Sequence, residues 1–514
     1  MASIFLMSKE VTLTHLLRRF EQKRHLLLRF AGFLSVCCLL IPVARGVPVA
    51  TAAAETSGDT APESMVRVGF SKVDITPTRP TAMAGYYHER LSTATHDPLW
   101  CRTTVLEVGD SRVALVSLDL IRSTQWITEE TQRLVAEKGM SELQGKNFAG
   151  ILISATHSHT GPVIFNSDSK ISFSKGSTNN NVERYTSDLP ALICKSVIDA
   201  YKAAEPMSVQ VAVGEEKNLA FNRRFFMNDG TVGWNPGKLN PRIVREAGPT
   251  DDGLPVVVFR DEKKVLRGIL CNFSIHLDTV GGTSWSADMP YQLIQSLESV
   301  YGPACHIQYS TGCCGDVNHL DVRTPLPQSG HGEAARIGNR LAAAVTRTVR
   351  EARTVEAKKL IATSERVSLP LTSFTAEELA WAKEIGEKAT TPTPPSFGDM
   401  VKGFRILDVE HRQGRPWEVD IHVISLGDKI AFVSQPGEIF VQLGLMIKDG
   451  SPFEVTSVHE LANGFVGYVP TRQAYPQGAY EVVSARVDAG SGEMMVESAL
   501  KQLAAHYSAH VAPE

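Results

Sequence analysis

Two histidines, His157 and His159, stand directly after a segment that has the composition of a buried strand. Residues 151–155 are mostly apolar, and the chain then changes to hydroxyl side chains, the two histidines and a Gly-Pro pair. Residues two apart in an extended backbone point the same way, so both imidazoles are expected to face one spot. They could then bind a metal ion, or one could bind metal while the other transfers protons. Because the motif is short, a polar surface loop is the competing interpretation.

Three further strand-like segments end in side chains of similar chemistry. Residues 267–275 lead to His276 and Asp278, residues 306–310 to Asp316, Asn318 and His319, and residues 430–434 to Glu438. Sites in open α/β sheets form outside the carboxyl ends of the strands. These side chains are therefore expected to share one pocket with the two histidines.

The pattern of the remaining chain predicts an α/β fold with a large mixed β-sheet flanked by helices and the site at the carboxyl ends of strands. Residues 66–75 form a predicted strand, and residues 103–118 and 419–434 form predicted hairpins of that sheet, each turning at Gly-Asp. Helical patterns occupy 128–138, 187–204, 290–300, 333–352, 375–388, 439–447 and 492–506. Thr375 and Glu378 have the spacing of a capping box.

The amino-terminal segment differs from the rest in charge. Residues 1–54 contain seven Lys or Arg and two Glu, so this segment carries +5 and the remainder −9 of the total −4. An acidic remainder argues against a nucleic-acid partner. The apolar run 30–44 is shorter than the roughly 20 residues of a spanning helix. We therefore predict an export leader over 1–54, a linker over 55–65 and a folded domain over 66–514, with the protein periplasmic, extracellular or at the cell surface.

Six cysteines follow the leader, which is too few for a disulfide scaffold in a chain of this length. Cys313 and Cys314 lack a second cysteine pair with which to form a four-thiolate zinc site. The pair is expected to be structural or to form one local disulfide.

Several motifs in residues 66–502 resemble those of the neutral/alkaline, non-lysosomal ceramidases, zinc amidases that cleave ceramide to sphingosine and fatty acid. The resemblance is carried by Val73-Asp74-Ile75-Thr76, Ala84-Gly85-Tyr86, Ser117-Leu118-Asp119-Leu120 and, most sharply, Ser154-Ala155-Thr156-His157-Ser158-His159-Thr160-Gly161-Pro162. The family implies a zinc ion held by His157, His276, Glu438 and Tyr468. It assigns substrate binding or proton transfer to His159, and a substrate-facing role to Arg223 in Asn222-Arg223.

Two of these assignments have alternatives in which the residue has only a structural role. A tyrosine oxygen is a rare zinc ligand, and Tyr468 could simply be an aromatic residue of the turn before Pro470. Arg223 could belong, with Arg224, to a solvated turn, because an isolated Asn-Arg pair is not specific.

The chain departs from the family pattern in two places. Asn318 stands where the family carries the serine of Gly-Asp-x-Ser-Pro, and a carboxamide cannot supply a hydroxyl nucleophile. The final helical pattern also lies close to the last residue of the sequence, so the immunoglobulin-like domain of the full-length enzymes is expected to be lacking. Both departures bear on the substrate and leave the zinc residues in place.

The resemblance implies a zinc-dependent amidohydrolase that cleaves ceramide or a related N-acyl lipid by zinc-activated water. His159 would move the proton, Arg223 would hold an anionic part of the substrate or the oxyanion, and Asp316, Asn318 and His319 would orient substrate or water. A lipid-like substrate also allows peripheral contact with membrane lipid. The alternatives are a zinc amidase or esterase with a non-ceramide substrate, and an exported binding protein with a relict metal site.

Overall fold

A nine-stranded mixed sheet lies at the centre of the computed structural model, which describes residues 65–142, 145–165, 177–389, 391 and 393–512. Its strands are β1 (Val66–Asp74), β2 (Trp100–Val108), β3 (Ser111–Leu118), β4 (Gly150–Ala155), β5 (Glu205–Glu215), β6 (Gly253–Arg260), β7 (Leu266–Phe273), β8 (His306–Thr311) and β9 (Arg353–Val355). The order is β8-β7-β6-β5-β1-β2-β3-β4, with β9 also paired to β5. The pairs β3–β4 and β7–β8 are parallel and the other pairs antiparallel.

A second sheet of four strands packs on one face of the first. It contains β10 (Leu360–Leu369), β11 (Trp417–Leu426), β12 (Ile430–Gln435) and β13 (Val455–Glu460). The predicted hairpin at 419–434 forms as β11 and β12, but its placement in the large sheet is wrong. Local alternation and a Gly-Asp turn are enough to predict a hairpin. Which further strands pair with that hairpin depends on the packing of apolar faces from distant parts of the chain.

Most of the described helices cover the outer faces of the two sheets. The described helices are α1 (Gln125–Glu142), α2 (Ser177–Lys202), α3 (Met289–Tyr301), α4 (His331–Glu351), α5 (Ala376–Lys388), α6 (Phe397–His411), α7 (Val441–Gly450), α8 (Ala479–Ser484) and α9 (Ser491–Val511), with a 3₁₀ turn at Arg472–Gln477. The capping box of α5 is confirmed, since Thr375 Oγ1 accepts from Glu378 N and a Glu378 carboxylate oxygen accepts from Thr375 N. Helix α6 was not predicted, because Gly398 and Gly403 weaken its helical pattern.

The layers are helix, large sheet, second sheet and helix. In β4, Ile151 and Ile153 contact the core with α1 and α2, whereas Leu152 contacts the core between the two sheets. Helices α7 and α9 pack on the outer face of the second sheet. Strands buried on both faces need apolar residues at nearly every position, which explains the continuous apolar runs in the sequence. The prediction of a large mixed sheet flanked by helices is confirmed.

The large sheet curves so that strands distant in its order come together. Strand β8 lies at one end, yet Ser117 Oγ in β3 donates to the carbonyl of Tyr309 at 2.6 Å. Gln308 Nε2 likewise donates to the carbonyl of Leu115 at 3.0 Å. This curvature brings the carboxyl end of β4 close to that of β7.

Short paired segments build the surroundings of the strand ends. Three two-residue pairs join Ala94–Thr95 with Ser284–Trp285, Phe221–Asn222 with Val317–Asn318, and Glu438–Ile439 with Tyr468–Val469. A three-stranded sheet joins Arg224–Met227, Val232–Trp234 and Ile243–Glu246.

The predicted leader, 1–54, lies outside the described residues, as does the linker except for Met65. Among the helices that the structure describes, none is both long and apolar enough to cross a membrane.

Candidate active site

Three buried histidines converge where β4 and β7 end. His276 Nε2 lies 3.1 Å from both His157 Nε2 and His159 Nε2, and the last two atoms are 3.4 Å apart. The carbonyl of Ile121 lies 2.8 Å from His157 Nδ1, which turns the Nε2 atom of that ring toward the other two. The expected meeting of the histidines from two strand ends therefore occurs, and together they could hold a metal ion.

The backbone brings His157 and His159 together differently from the prediction. The strand ends at Ala155, and His157 has a φ of +75°, in the left-handed region that residues other than glycine rarely adopt. The backbone nitrogens of His157 and Ser158 both donate to the carbonyl of Leu120. A tight turn, and not strand alternation, aims the two imidazoles at one point, and strain of this kind is typical of functional sites.

Gly85 makes room for His159. A Cβ atom at Gly85 would lie 2.6 Å from His159 Nδ1, and the φ of Gly85 is +98°. Only glycine satisfies both the backbone angle and the close approach. The Ala-Gly-Tyr motif of the sequence therefore shapes one wall of the site.

Glu438 stands beside the histidines. Its Oε2 atom lies 3.6 Å from His157 Nε2. Burial alone would raise the pKa of Glu438, but the interaction with His157 outweighs it and lowers this pKa to about 2. Burial, helped by charge on His157, lowers the pKa values of His159 and His276 well below 6.5. Burial would lower the pKa of His157, but the interaction with Glu438 outweighs it and raises this pKa. The centre thus offers one carboxylate and, at His159 and His276, neutral imidazoles, which are the forms that bind metals.

Tyr468 is placed next to Glu438 because the two residues pair in parallel short strands. The Tyr468 hydroxyl hydrogen-bonds with the Glu438 carboxylate and accepts from Arg223 Nη2 at 3.0 Å. Burial, followed by the charge on Glu438, raises the pKa of Tyr468 well above 10. Tyr468 is therefore a neutral phenol at the edge of the centre, held by defined partners.

Arg223 is buried, so the interpretation of a solvated turn is wrong for it and for Arg224. Its Nε donates to Glu481 at 2.8 Å and its Nη2 to the carbonyl of Gly315 at 2.7 Å, besides the bond to Tyr468. The fully buried carboxylate of Glu481 also pairs with Arg224. No local sequence signal identified Glu481, because its importance comes from two arginines some 257 positions earlier.

The structure places Asp316 and Asn318 in contact with protein groups. Asp316 accepts from the backbone N–H of Val441, the first residue of α7, at 2.8 Å and from Asn222 Nδ2 at 3.1 Å. Asn318 Nδ2 donates to Asn235 at 3.1 Å. Neither residue is among the described residues that line the cavity beside the histidines.

Glu460, at the end of β13, is a buried carboxylate that the sequence did not single out. It accepts from the backbone N–H groups of Cys314 and Ile439, at 2.9 and 3.0 Å, and contacts Cys314 Sγ at 2.8 Å. Burial raises its pKa to about 8. Through these hydrogen bonds Glu460 connects the segment that contains Glu438 to the loop after β8.

All six cysteines of the described chain are buried and unbridged, so a local disulfide between Cys313 and Cys314 is wrong. Cys313 packs in the apolar core of the second sheet, and Cys314 packs against Val317 and Val441. Both are structural.

A cavity of about 260 Å³ opens beside the three histidines. His157, His159, Glu438 and Tyr468 line one part of it. Its other lining side chains are mainly apolar or aromatic, including Met83, Tyr86, Tyr87, Val163, Ile164, Val182, Val401, Phe404, Phe465 and Tyr480. A pocket with an apolar lining and a few convergent polar groups is the usual form of a small-molecule site.

The histidine nitrogens suit a tetrahedral metal ion. Zinc binds imidazole nitrogen at roughly 2.0–2.1 Å, which separates two nitrogens of a tetrahedron by about 3.3–3.4 Å. The observed separations are 3.1, 3.1 and 3.4 Å, and Glu438 supplies a carboxylate oxygen nearby. A second group, formed by His96, Asp97 and His331, is less suited, since both histidines are exposed and the aspartate accepts from Ser286 Oγ and Ala287 N.

Comparison with known proteins identifies the fold. A neutral ceramidase from Pseudomonas aeruginosa superposes over 88% of this chain and 76% of its own, with a TM-score of 0.66 and 20% identity. A ceramidase complexed with C2 superposes over 88% and 77%, with a TM-score of 0.67 and 19% identity. No protein-family model and no curated protein sequence matches the chain. The chain has the neutral ceramidase fold over most of its length, which confirms the predicted resemblance at the level of the fold.

Proposed function

We propose that this chain is a zinc-dependent amidohydrolase that cleaves an N-acyl lipid, ceramide or a related compound, into a fatty acid and an amine. The observation that carries the proposal is the convergence of three buried imidazoles with Glu438 beside a largely apolar cavity. The shared fold supports it, because the two superposed proteins are described as ceramidases.

In this proposal His157, His276, Glu438 and Tyr468 hold the zinc ion. A zinc ion in such a site lowers the pKa of water and polarises a carbonyl group. Glu438 and the two imidazoles have the character of hydrolytic zinc ligands. Tyr468 is the weakest of the four, and its hydroxyl, oriented by Arg223, also suits donation to the oxyanion that forms when the amide carbonyl is attacked.

His159 is the proposed proton carrier. Its low pKa leaves the imidazole neutral and able to accept a proton from the attacking water. The proton then passes to the leaving nitrogen as the carbon–nitrogen bond breaks. Asp278 Oδ1 lies 3.5 Å from His159 Nδ1 and accepts from the Tyr86 hydroxyl at 2.9 Å, so it can stabilise the charged ring. No step requires a hydroxyl at Asn318.

The alternative role of His159 is that of a third histidine ligand, which its 3.1 Å approach to His276 supports. His159→Gln separates the two roles. If His159 carries protons, the variant keeps its zinc and loses turnover; if His159 is a ligand, zinc and turnover fall together.

The test of the function is fatty-acid release from a short-chain ceramide by purified protein, with and without a chelator. We expect release that the chelator abolishes and added zinc restores. His422→Asn is a matched control, since His422 lies in β11 outside the cavity. Absence of release from zinc-loaded protein, on ceramide and on other N-acyl compounds alike, would refute the proposal.

A further inference from the structure

The cavity beside the histidines has a cationic part that hydrolysis of an uncharged amide does not require. Of the described residues, three arginines line it: Arg122, Arg405 and Arg486. Arg486 is matched, because its Nε and Nη2 both donate to Asp408, at 2.8 and 2.6 Å. Within the described ranges, no side-chain pairing of this kind joins Arg122 or Arg405 to a carboxylate of the cavity.

Arg122 lies in the cavity wall, and the hydrogen-bonding capacity of its guanidinium is only partly used by the described residues. Its Nη2 donates to the carbonyl of Ile164 at 3.3 Å, and its Nε has no hydrogen-bond partner among the described residues. The group lies 4.7 Å from the ring centre of Phe465. Burial, followed by the charge on Arg486, lowers the pKa of Arg122 to about 10. The charged form of Arg122 is therefore less favourable in the pocket than in water.

Arg405, on α6, repeats this pattern. Its buried Nε also lacks a partner in the described part of the chain. The carboxylate that most favours its charge, Glu378, forms an ion pair with Lys402 at 2.8 Å. Burial and Arg486 lower the pKa of Arg405. A buried polar group without a partner is costly unless a ligand satisfies it.

The carboxylates that line the cavity are either paired with other groups or exposed to solvent. Asp408 is matched by Arg486, and Glu438 interacts with His157 and belongs to the proposed metal site. Glu89 also lines the cavity, but it is exposed to solvent. Among the residues that the structure describes, Arg122 and Arg405 therefore remain as cations without a buried carboxylate of their own.

We propose that Arg122 and Arg405 bind an anionic group of the substrate, so that the preferred substrate is an N-acyl compound with a carboxylate, sulfonate or phosphate on its amine part. This inference rests on the proposed function. Planar guanidinium groups recognise all three anions through paired N–H donors. The apolar and aromatic side chains of the same cavity would take the acyl chain.

The test compares kcat/KM for matched substrates that share an octanoyl chain. N-octanoylglycine, N-octanoyltaurine and N-octanoylphosphoethanolamine carry the three anions, and N-octanoylethanolamine is the uncharged reference. We expect the best anionic substrate to exceed the reference by about 10- to 100-fold, the effect of charged hydrogen bonds made in a buried site. The anionic substrate with the highest kcat/KM shows whether the site prefers a carboxylate, a sulfonate or a phosphate.

Arg122→Gln and Arg405→Gln should each lower the ratio of anionic to uncharged kcat/KM toward one. Arg122→Lys and Arg405→Lys, which keep the charge, should retain part of the preference. Arg336→Gln, which removes an exposed arginine paired with Glu333, is the control and should leave the ratio unchanged. Circular dichroism and thermal unfolding identify any variant that fails to fold.

The failures of the two proposals are distinguishable. Cleavage of the uncharged reference at a rate equal to or above that of all three anionic substrates would overturn the anion site and leave the hydrolase standing. If no substrate is cleaved, calorimetric binding of N-octanoylglycine decides the matter. Binding that weakens in both glutamine variants supports the anion site, and absent or unchanged binding overturns it.

Discussion

Replacing Gly85 by alanine tests how closely the backbone controls His159. The new Cβ would stand 2.6 Å from His159 Nδ1 and 2.8 Å from its Cβ and Cγ, whereas ordinary contact begins near 3.4 Å. The imidazole must therefore move by about 0.8 Å, and misplacement of a reacting group by about 1 Å costs on the order of 100-fold in rate. We expect kcat/KM to fall by about that factor.

The same substitution also strains the backbone, because Gly85 has a φ of +98°. Adoption of the left-handed region by alanine costs roughly 1–2 kcal/mol. Gly237→Ala is the matched control, since Gly237 has a φ of +97° and a Cβ there would meet nothing within 4 Å. Both variants should lose similar free energy of unfolding, as measured by urea denaturation.

Only Gly85→Ala should lose activity. Zinc content, measured on the same preparations, shows whether the displaced ring was a ligand or a proton carrier. A Gly85→Ala enzyme with wild-type kcat/KM would show that the position of His159 does not limit the reaction, and would refute this reasoning.

Three other substitutions test the remaining parts of the site. His157→Ala should abolish zinc binding and hydrolysis together, and an active, metal-free variant would contradict the ligand assignment. Tyr468→Phe should lower kcat by about 100- to 1,000-fold if the hydroxyl stabilises the oxyanion, with KM changed little; an unchanged kcat would exclude that role. Glu460→Gln tests linkage between protonation and folding. Because the folded pKa of Glu460 is raised to about 8, the folded state binds more protons than the unfolded state between about pH 4.3 and 8. The contribution of Glu460 to the free energy of unfolding should therefore fall as pH rises through that range. Urea denaturation from pH 5 to 8 should show a steeper decline for the wild type than for Glu460→Gln, and parallel curves would count against a raised pKa.

The sequence by itself determined the features that depend on local order. The apolar run before His157, the turn residues between β2 and β3, and the capping box of α5 each act within a few residues, so their patterns can be recognised without the fold. The motifs also predicted the ceramidase-like fold, and strand ends rich in histidine and carboxylate indicated one shared pocket.

Only the tertiary structure decided how those strand ends meet. The large sheet curves until β4 and β7 deliver His157 and His276 to within 3.1 Å. The second sheet, of which only the hairpin 419–434 was predicted and was assigned to the large sheet, supplies Glu460. The partners of Arg223, the protein contacts of Asp316 and Asn318, and the unmatched arginines of the cavity likewise join residues far apart in the chain. Such contacts depend on packing between layers, and no local pattern encodes which distant side chain will satisfy a buried charge.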